Sequence, residues 1–122
     1  MWTVLATREF DEWYGEASDG LQAKVIGKVE LLRYSGPLLQ RPHADTLKGS
    51  RHSNMKELRV DTSDAVVRIA YAFDPERHAI LLCAGNKTGI GKRQFYTRLI
   101  DRADDLWDEH LAEIRERKKK ES

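Results

Sequence analysis

Five cations and one carboxylate in the middle of the chain have the types and spacing to handle a phosphate group. Arg68 lies inside Val67-Arg68-Ile69-Ala70-Tyr71. Period-two alternation puts it on the strand face opposite Ile69, Tyr71 and Phe73. A guanidinium there can grip a phosphate with two parallel hydrogen bonds, or pair with a neighbouring carboxylate on the surface. Glu57 and Arg59 are two residues apart and share a strand face. A glutamate of raised proton affinity can act as a general base. The same pair also suits a cross-strand ion network with Arg68, and both readings stand at this stage. Lys87 follows in a glycine-containing loop, and Lys92 and Arg93 come just after Gly91, near the expected start of a helix. Helix N-termini favour phosphate, whereas solvation is the plainer use of such charges. Lys48, Arg51 and His52 sit in the basic loop Lys48-Gly49-Ser50-Arg51-His52-Ser53-Asn54. They are candidates for binding a nucleic-acid backbone, and His52 is an acid–base candidate near neutral pH.

Other chemistries fit less well. His43, His78 and His110 fall at irregular intervals with no adjacent cysteine, so no zinc site or other metal is expected. Gly85-Asn86-Lys87-Thr88-Gly89 lacks the glycine-to-lysine spacing of a P-loop, and no cofactor is expected. Cys83, the only cysteine, lies in an apolar run and reads as an inert core residue; an intramolecular disulfide is impossible. The first residues form no signal peptide and no apolar run is long enough to span a bilayer, so a cytoplasmic location is expected.

These groups need a scaffold. The 122 residues suit one domain, and 40% apolar with 34% charged residues marks a globular chain rather than a disordered one. The net charge is only +1, but residues 40–100 carry eleven Lys/Arg against six Asp/Glu, with acidic segments on either side. That distribution suits an anion-binding face or an ordinary scatter of solvated charge. Trp2 to Leu5 reads as a strand. Thr7 caps a helix to about Tyr14, and Asp19 opens a second, with Leu21, Val25, Val29 and Leu32 as its apolar stripe. Gly36-Pro37 stops it. Residues 36–54 read as loop. Three strands follow as an antiparallel meander: Met55–Val60, Val66–Phe73 and His78–Ala84. A helix is expected from Lys92 to residue 117, with Phe95, Leu99, Ala103, Leu106 and Trp107 as its stripe, and a disordered basic tail over 118–122. The order is β-α-α-β-β-β-α. The N-terminal helices are expected to cover one sheet face and basic loops part of the other.

Four pieces in order carry a family resemblance: Leu47-Lys48-Gly49, then Met55-Lys56-Glu57-Leu58-Arg59-Val60, then Val67-Arg68-Ile69-Ala70-Tyr71, then Leu82-Cys83-Ala84-Gly85-Asn86-Lys87. Together they resemble the RelE/ParE toxin superfamily, and the Glu-Leu-Arg form with a helical tail resembles its phage-derived HigB-like branch. The resemblance implies an α+β, RelE-like fold over residues 1–117, with an N-terminal strand and helical hairpin on a mainly antiparallel sheet and a C-terminal helix. It implies a toxin held by a cognate antitoxin, a small helix-turn-helix protein through which alone operator DNA is met. RelE- and HigB-type relatives cut mRNA on the ribosome, a metal-independent endoribonuclease activity. ParE-type relatives poison DNA gyrase instead, and a catalytically inactive phage-derived interaction protein is the third alternative. Cutting RNA through its own 2′-hydroxyl needs a base, cations on the phosphorane and an acid for the 5′-oxygen. The catalytic candidates are Arg68, Glu57, Arg59, Lys87 and Tyr96; of these the resemblance assigns Arg68 as the family's strand arginine, Lys87 as its basic loop and Tyr96 as its late tyrosine. Tyr96 also reads as a core aromatic, since it and Phe95 cannot both face inward. The chain departs from RelE at Glu57, where RelE has lysine.

Overall fold

The computed structural model describes residues 1–121. Its elements run β1 (Thr3–Ala6), α1 (Arg8–Glu16), α2 (Asp19–Ser35), a 3-10 turn (Gly36–Leu38), β2 (Ala44–Thr46), β3 (Lys56–Asp61), β4 (Val66–Phe73), β5 (His78–Asn86) and α3 (Lys92–Glu121). The sheet order is β1-β5-β4-β3-β2. β2 to β5 form the antiparallel meander, and β1 joins its far edge parallel to β5.

Local chemistry sets the element ends. Thr7 Oγ1 accepts the amide hydrogen of Phe10 at 3.1 Å and donates to the Leu82 carbonyl at 2.6 Å, so one side chain caps α1 and ties it to β5. Such a cap contributes about 1 kcal/mol. The second helix is capped by Ser18, whose Oγ accepts from the Leu21 amide. Asp19, expected to open it, is its first residue, where a carboxylate favours the helix dipole, and the capping side chain is Ser18 just before it. Gly36 ends α2 with φ +55, and a Cβ there would lie 2.2 Å from the Trp2 indole nitrogen. Only glycine fits that close approach.

Two apolar layers form. Phe10, Val25 and Leu32 from the hairpin pack against Leu58, Val60, Ile69, Tyr71 and Leu81. On the opposite face, Phe95, Leu99, Ala103, Leu106 and Trp107 of α3 pack against Ala70, Ala72, Ile80, Leu82 and Cys83. A register shift between Ala70 and Tyr71 in the β4–β5 ladder lets Leu82 and Cys83 both join this second layer. Small residues on the sheet allow the close approach: a Cβ on Gly85 would meet the Phe95 ring at 3.0 Å. Burial pushes the Cys83 thiol up to about 12, in keeping with an inert core residue.

The sheet's second face therefore belongs largely to α3, where the sequence suggested loops. The helix runs mainly over β4 and β5 and reaches β3 at its edge, where Tyr96 meets Glu57, so much of that face over β2 and β3 is left open. Two other expectations change. Residues 44–46, expected as loop, form edge strand β2. Helix α3 continues through Lys118–Glu121, the stretch expected as a disordered tail; Ser122 lies outside the described residues. Among the described residues, no helix is long and apolar enough to cross a membrane.

A cationic groove between the sheet and the last helix

Where α3 leaves β2 and β3 uncovered, a groove of about 880 Å³ opens. Strand alternation supplies its floor. Asp45 of β2 pairs in register with Glu57 of β3, and Arg59 lies two residues further on. The loop after β2 gives Lys48 and Gly49, the loop after β5 gives Lys87, and α3 gives Lys92, Arg93, Tyr96, Thr97 and Asp101. Of the ten residues singled out in the sequence, Lys48, Glu57, Arg59, Lys87, Lys92, Arg93 and Tyr96 line this one groove.

Arg68 lies under it. Its register partner is Arg59, and its side chain is only 2% exposed. Nη1 donates to Asp61 at 2.6 Å and to the Val67 carbonyl at 2.9 Å. Burial opposes its charge, but Asp61 and then Tyr96 outweigh that and hold it protonated. Nε is buried without a hydrogen-bond partner. It lies 3.6 Å from Glu57 Oε1.

Glu57 is the convergence point. Tyr96 Oη donates to its Oε1 at 2.7 Å, and Arg59 Nη1 lies 3.5 Å from its Oε2. The carboxylate is 6% exposed. Burial and then the Glu57 contact push the Tyr96 phenol up, so it stays an O–H donor across the neutral range. Lys87 Nζ sits 5.6 Å above the Tyr96 ring. Burial, then crowding by Arg68, Lys92 and Arg59, pulls the Lys87 ammonium below its usual range. Six cations in the lining (Arg41, Lys48, Arg59, Lys87, Lys92 and Arg93) face three carboxylates (Asp45, Glu57 and Asp101), so the groove is net positive. The first turn of α3 contains no acidic residue and begins with Lys92-Arg93. Cations there oppose the helix dipole, while the free amides favour an anion.

Arg51 and His52 stay outside the groove. Arg51 Nη2 donates to Asp108 at 2.5 Å and lies 3.5 Å from Asp105. His52 Nε2 contacts Asp108 at 2.8 Å. Buried Asp104 accepts from Ser50 Oγ at 2.5 Å and from the Arg51 amide at 3.0 Å. This acidic face of α3 fastens the β2–β3 loop and so fixes the groove wall made by Lys48 and Gly49. Sequence reasoning missed Arg41, Asp45, Thr97 and Asp101 in the lining. Helical spacing does connect Arg93, Tyr96, Thr97, Ile100 and Asp101 on one face of α3, and that signal was available.

A second polar cluster lies at the other end of β4. His78 and His110, scattered in sequence, both bond to Asp74 Oδ2, at 3.2 and 2.9 Å. Asp74 Oδ1 accepts the amides of Glu76 and His78, both at 2.9 Å. Asp74, Glu76 and His78 each offer a ligand atom within 4.8 Å of the others. Those atoms are already engaged, Glu76 by Arg117. The cluster works as a hydrogen-bonded clasp between the β4–β5 turn and α3.

Known proteins frame this geometry. Over 120 residues the chain is 42% identical to HigB2 of Mycobacterium tuberculosis, covering 98% of this chain but 59% of that protein. It is 38% identical over 109 residues to HigB3 of the same organism, covering 89% and 93% of the two chains. Both relatives carry toxin names. Among solved structures, a free-state mutant of the Escherichia coli toxin RelE superposes with a TM-score of 0.59 at 9% identity, over 81% of this chain and 93% of that one. That match establishes the RelE-type fold. The profile of the family described as "Phage derived protein Gp49-like (DUF891)" matches residues 12–108. The chain therefore belongs to the phage-derived Gp49-like family, as a HigB-like protein with a RelE-type fold.

Proposed function

We propose that this protein is the toxin of a type II toxin–antitoxin pair and that it inhibits translation by cutting mRNA on the ribosome. The observation that carries the reading is the groove: five lining cations identified from sequence surround one buried carboxylate bonded to a phenol. A binder that only wedges against a protein has no use for a buried proton acceptor among cations. Strand cleavage of RNA uses both.

In this reading Arg59 and Lys87 take the scissile phosphate, while Lys92, Arg93 and Lys48 hold the flanking backbone. Arg68 supplies fixed positive charge from below. Glu57 receives the 2′-hydroxyl proton. The 2′-oxygen then bonds to phosphorus and the bond from phosphorus to the 5′-oxygen breaks, leaving a 2′,3′-cyclic phosphate. Tyr96, kept protonated by burial, gives its proton to the departing 5′-oxygen. The 2.7 Å contact between Glu57 and Tyr96 returns the captured proton to the phenolate and resets the site. Side chains alone complete this route.

The partners follow from the same reading. The ribosome presents the message, and a small helix-turn-helix antitoxin, which also meets operator DNA, neutralises the toxin. In-vitro translation with primer extension on the message tests it. The wild-type chain produces codon-phased cuts, and Arg59→Ala or Lys87→Ala reduces their rate about 100-fold, as expected for loss of one charge-stabilising group. Gyrase-dependent linearisation of plasmid, with no cut in the message, overturns the reading in favour of a gyrase poison.

A further inference from the structure

The groove's floor holds an anion hole whose occupant in the free chain is part of the protein. Around the Glu57 carboxylate stand Tyr96 Oη at 2.7 Å, Arg59 Nη1 at 3.5 Å and Arg68 Nε at 3.6 Å. Only the first of these is a hydrogen bond of ordinary length. Carboxylates that belong to guanidiniums sit closer, as Asp61 does on Arg68 at 2.6 Å and Asp45 on Arg41 at 2.8 Å. The poor fit has a cost in the same place: Arg68 Nε is buried with no hydrogen-bond partner. A planar, singly charged carboxylate reaches one donor well and two donors badly. A phosphodiester carries the same single charge but spreads two anionic oxygens tetrahedrally, and its phosphorane gains further charge, so it fits that donor set better. The surplus cations agree, since Lys87 is crowded by Arg68, Lys92 and Arg59.

We propose that Glu57 is an internal stand-in for phosphate: its carboxylate occupies a phosphate site built by Arg59, Arg68 and Tyr96 and leaves when an RNA phosphodiester arrives. This rests on reading the groove as a phosphate site, and it adds the order of events. Substrate phosphate takes the cations and satisfies Arg68 Nε. The displaced carboxylate is then next to the phosphate rather than locked to guanidiniums, free to accept the 2′-hydroxyl proton. It regains its contact with Tyr96, where it returns that proton, once the product leaves. Before substrate arrives, the hole is closed to the free phosphate and unrelated anions of the cell. Selectivity follows, because only a ligand held additionally by Lys48, Lys92 and Arg93 along its backbone competes well with a tethered carboxylate.

Binding of inorganic phosphate tests the proposal without any ribosome or message. Calorimetric titration at low ionic strength compares the wild-type chain with Glu57→Ala and Glu57→Gln, with thermal unfolding followed in parallel. Glu57→Ala empties the hole and is expected to bind phosphate about tenfold more tightly than wild type. Glu57→Gln keeps the acceptor for Tyr96 and drops the charge, so its affinity falls between the two. Adding Arg59→Ala to Glu57→Ala returns affinity to the wild-type level. Phosphate affinity equal to or below wild type in the variants overturns the proposal, as does tighter binding that survives Arg59→Ala. Glu57→Gln, close in shape to the native side chain, decides the matter if Glu57→Ala does not unfold cooperatively. A chain that cuts no message can still show the phosphate result, so failure of the two ideas is separable.

Discussion

Two buried carboxylates, one beside the middle of β4 and one just past its end, have been placed to different ends. Asp74 has everything a structural carboxylate needs: two backbone amides on one oxygen and two imidazoles on the other. Glu57 has one good hydrogen bond, two distant guanidiniums and an unsatisfied nitrogen beneath it. Glu57 pairs with Ala70, so its level along the strand lies four residues, about 13 Å, from Asp74. Satisfied polar groups rigidify a fold, and unsatisfied ones mark where a ligand completes the set. The difference separates what holds this molecule together from what it does.

Replacing each carboxylate breaks the comparison in a different observable. Glu57→Gln is expected to slow message cutting about 100- to 1,000-fold by removing the proton acceptor, with little change in the unfolding midpoint. An equal loss of stability and activity would merge the two sites into one structural role. Asp74→Ala strands two backbone amides and is expected to lower stability by about 3 kcal/mol, measured by urea unfolding, while folded molecules keep their cutting rate. The pH dependence has a definite sign. Burial opposes the charge on Asp74, but His110 and the His78 contacts hold its carboxyl below the usual range. Its contribution is therefore present above the unfolded carboxylate value near 4 and fades as pH falls through the lower folded value. The stability gap between wild type and Asp74→Ala should narrow between pH 5 and acid, and a widening gap would reverse the assignment. The smallest effect is expected from Arg51→Ala. Its guanidinium faces Asp105 and Asp108 rather than the groove, so cutting should change less than about twofold at physiological salt, an exposed pair being worth little. A tenfold loss would return Arg51 to the RNA path.

Much of the groove could be read in the sequence because strand alternation is a strict rule. The spacing of Glu57 and Arg59, and the phase of Arg68 against Ile69 and Tyr71, placed all three on one face. What alternation cannot say is which element covers that face. With α3 over β4 and β5, Arg68 becomes a buried cation under the floor, while Arg59 one strand away remains in the lining. Arg51 and His52 were legible as basic but not as spoken for. Their partners are 53 to 57 residues later, on a helix face whose Asp104, Asp105 and Asp108 spacing is visible only once the helix is aimed at the loop. β2 was hidden for a different reason. Three residues with one paired neighbour, in a stretch rich in glycine and proline, give no periodic signal. Tyr96 resolves in favour of the groove because Phe95 takes the core position against Gly85.

Strand order has a consequence for how the protein is born. β1 is made first but pairs with β5, so the N-terminal segment must wait for residues near 78–81 before it has a place in the sheet. The groove waits longer still, because the α3 residues from Lys92 to Asp101 are the last of its groups to leave the ribosome. A nascent chain carries Arg59 and Glu57 on an unfinished sheet, with no helix to wall them in. If message cutting is its task, the chain has no assembled blade while its own message is being read through that region, and becomes dangerous only once α3 has emerged and docked.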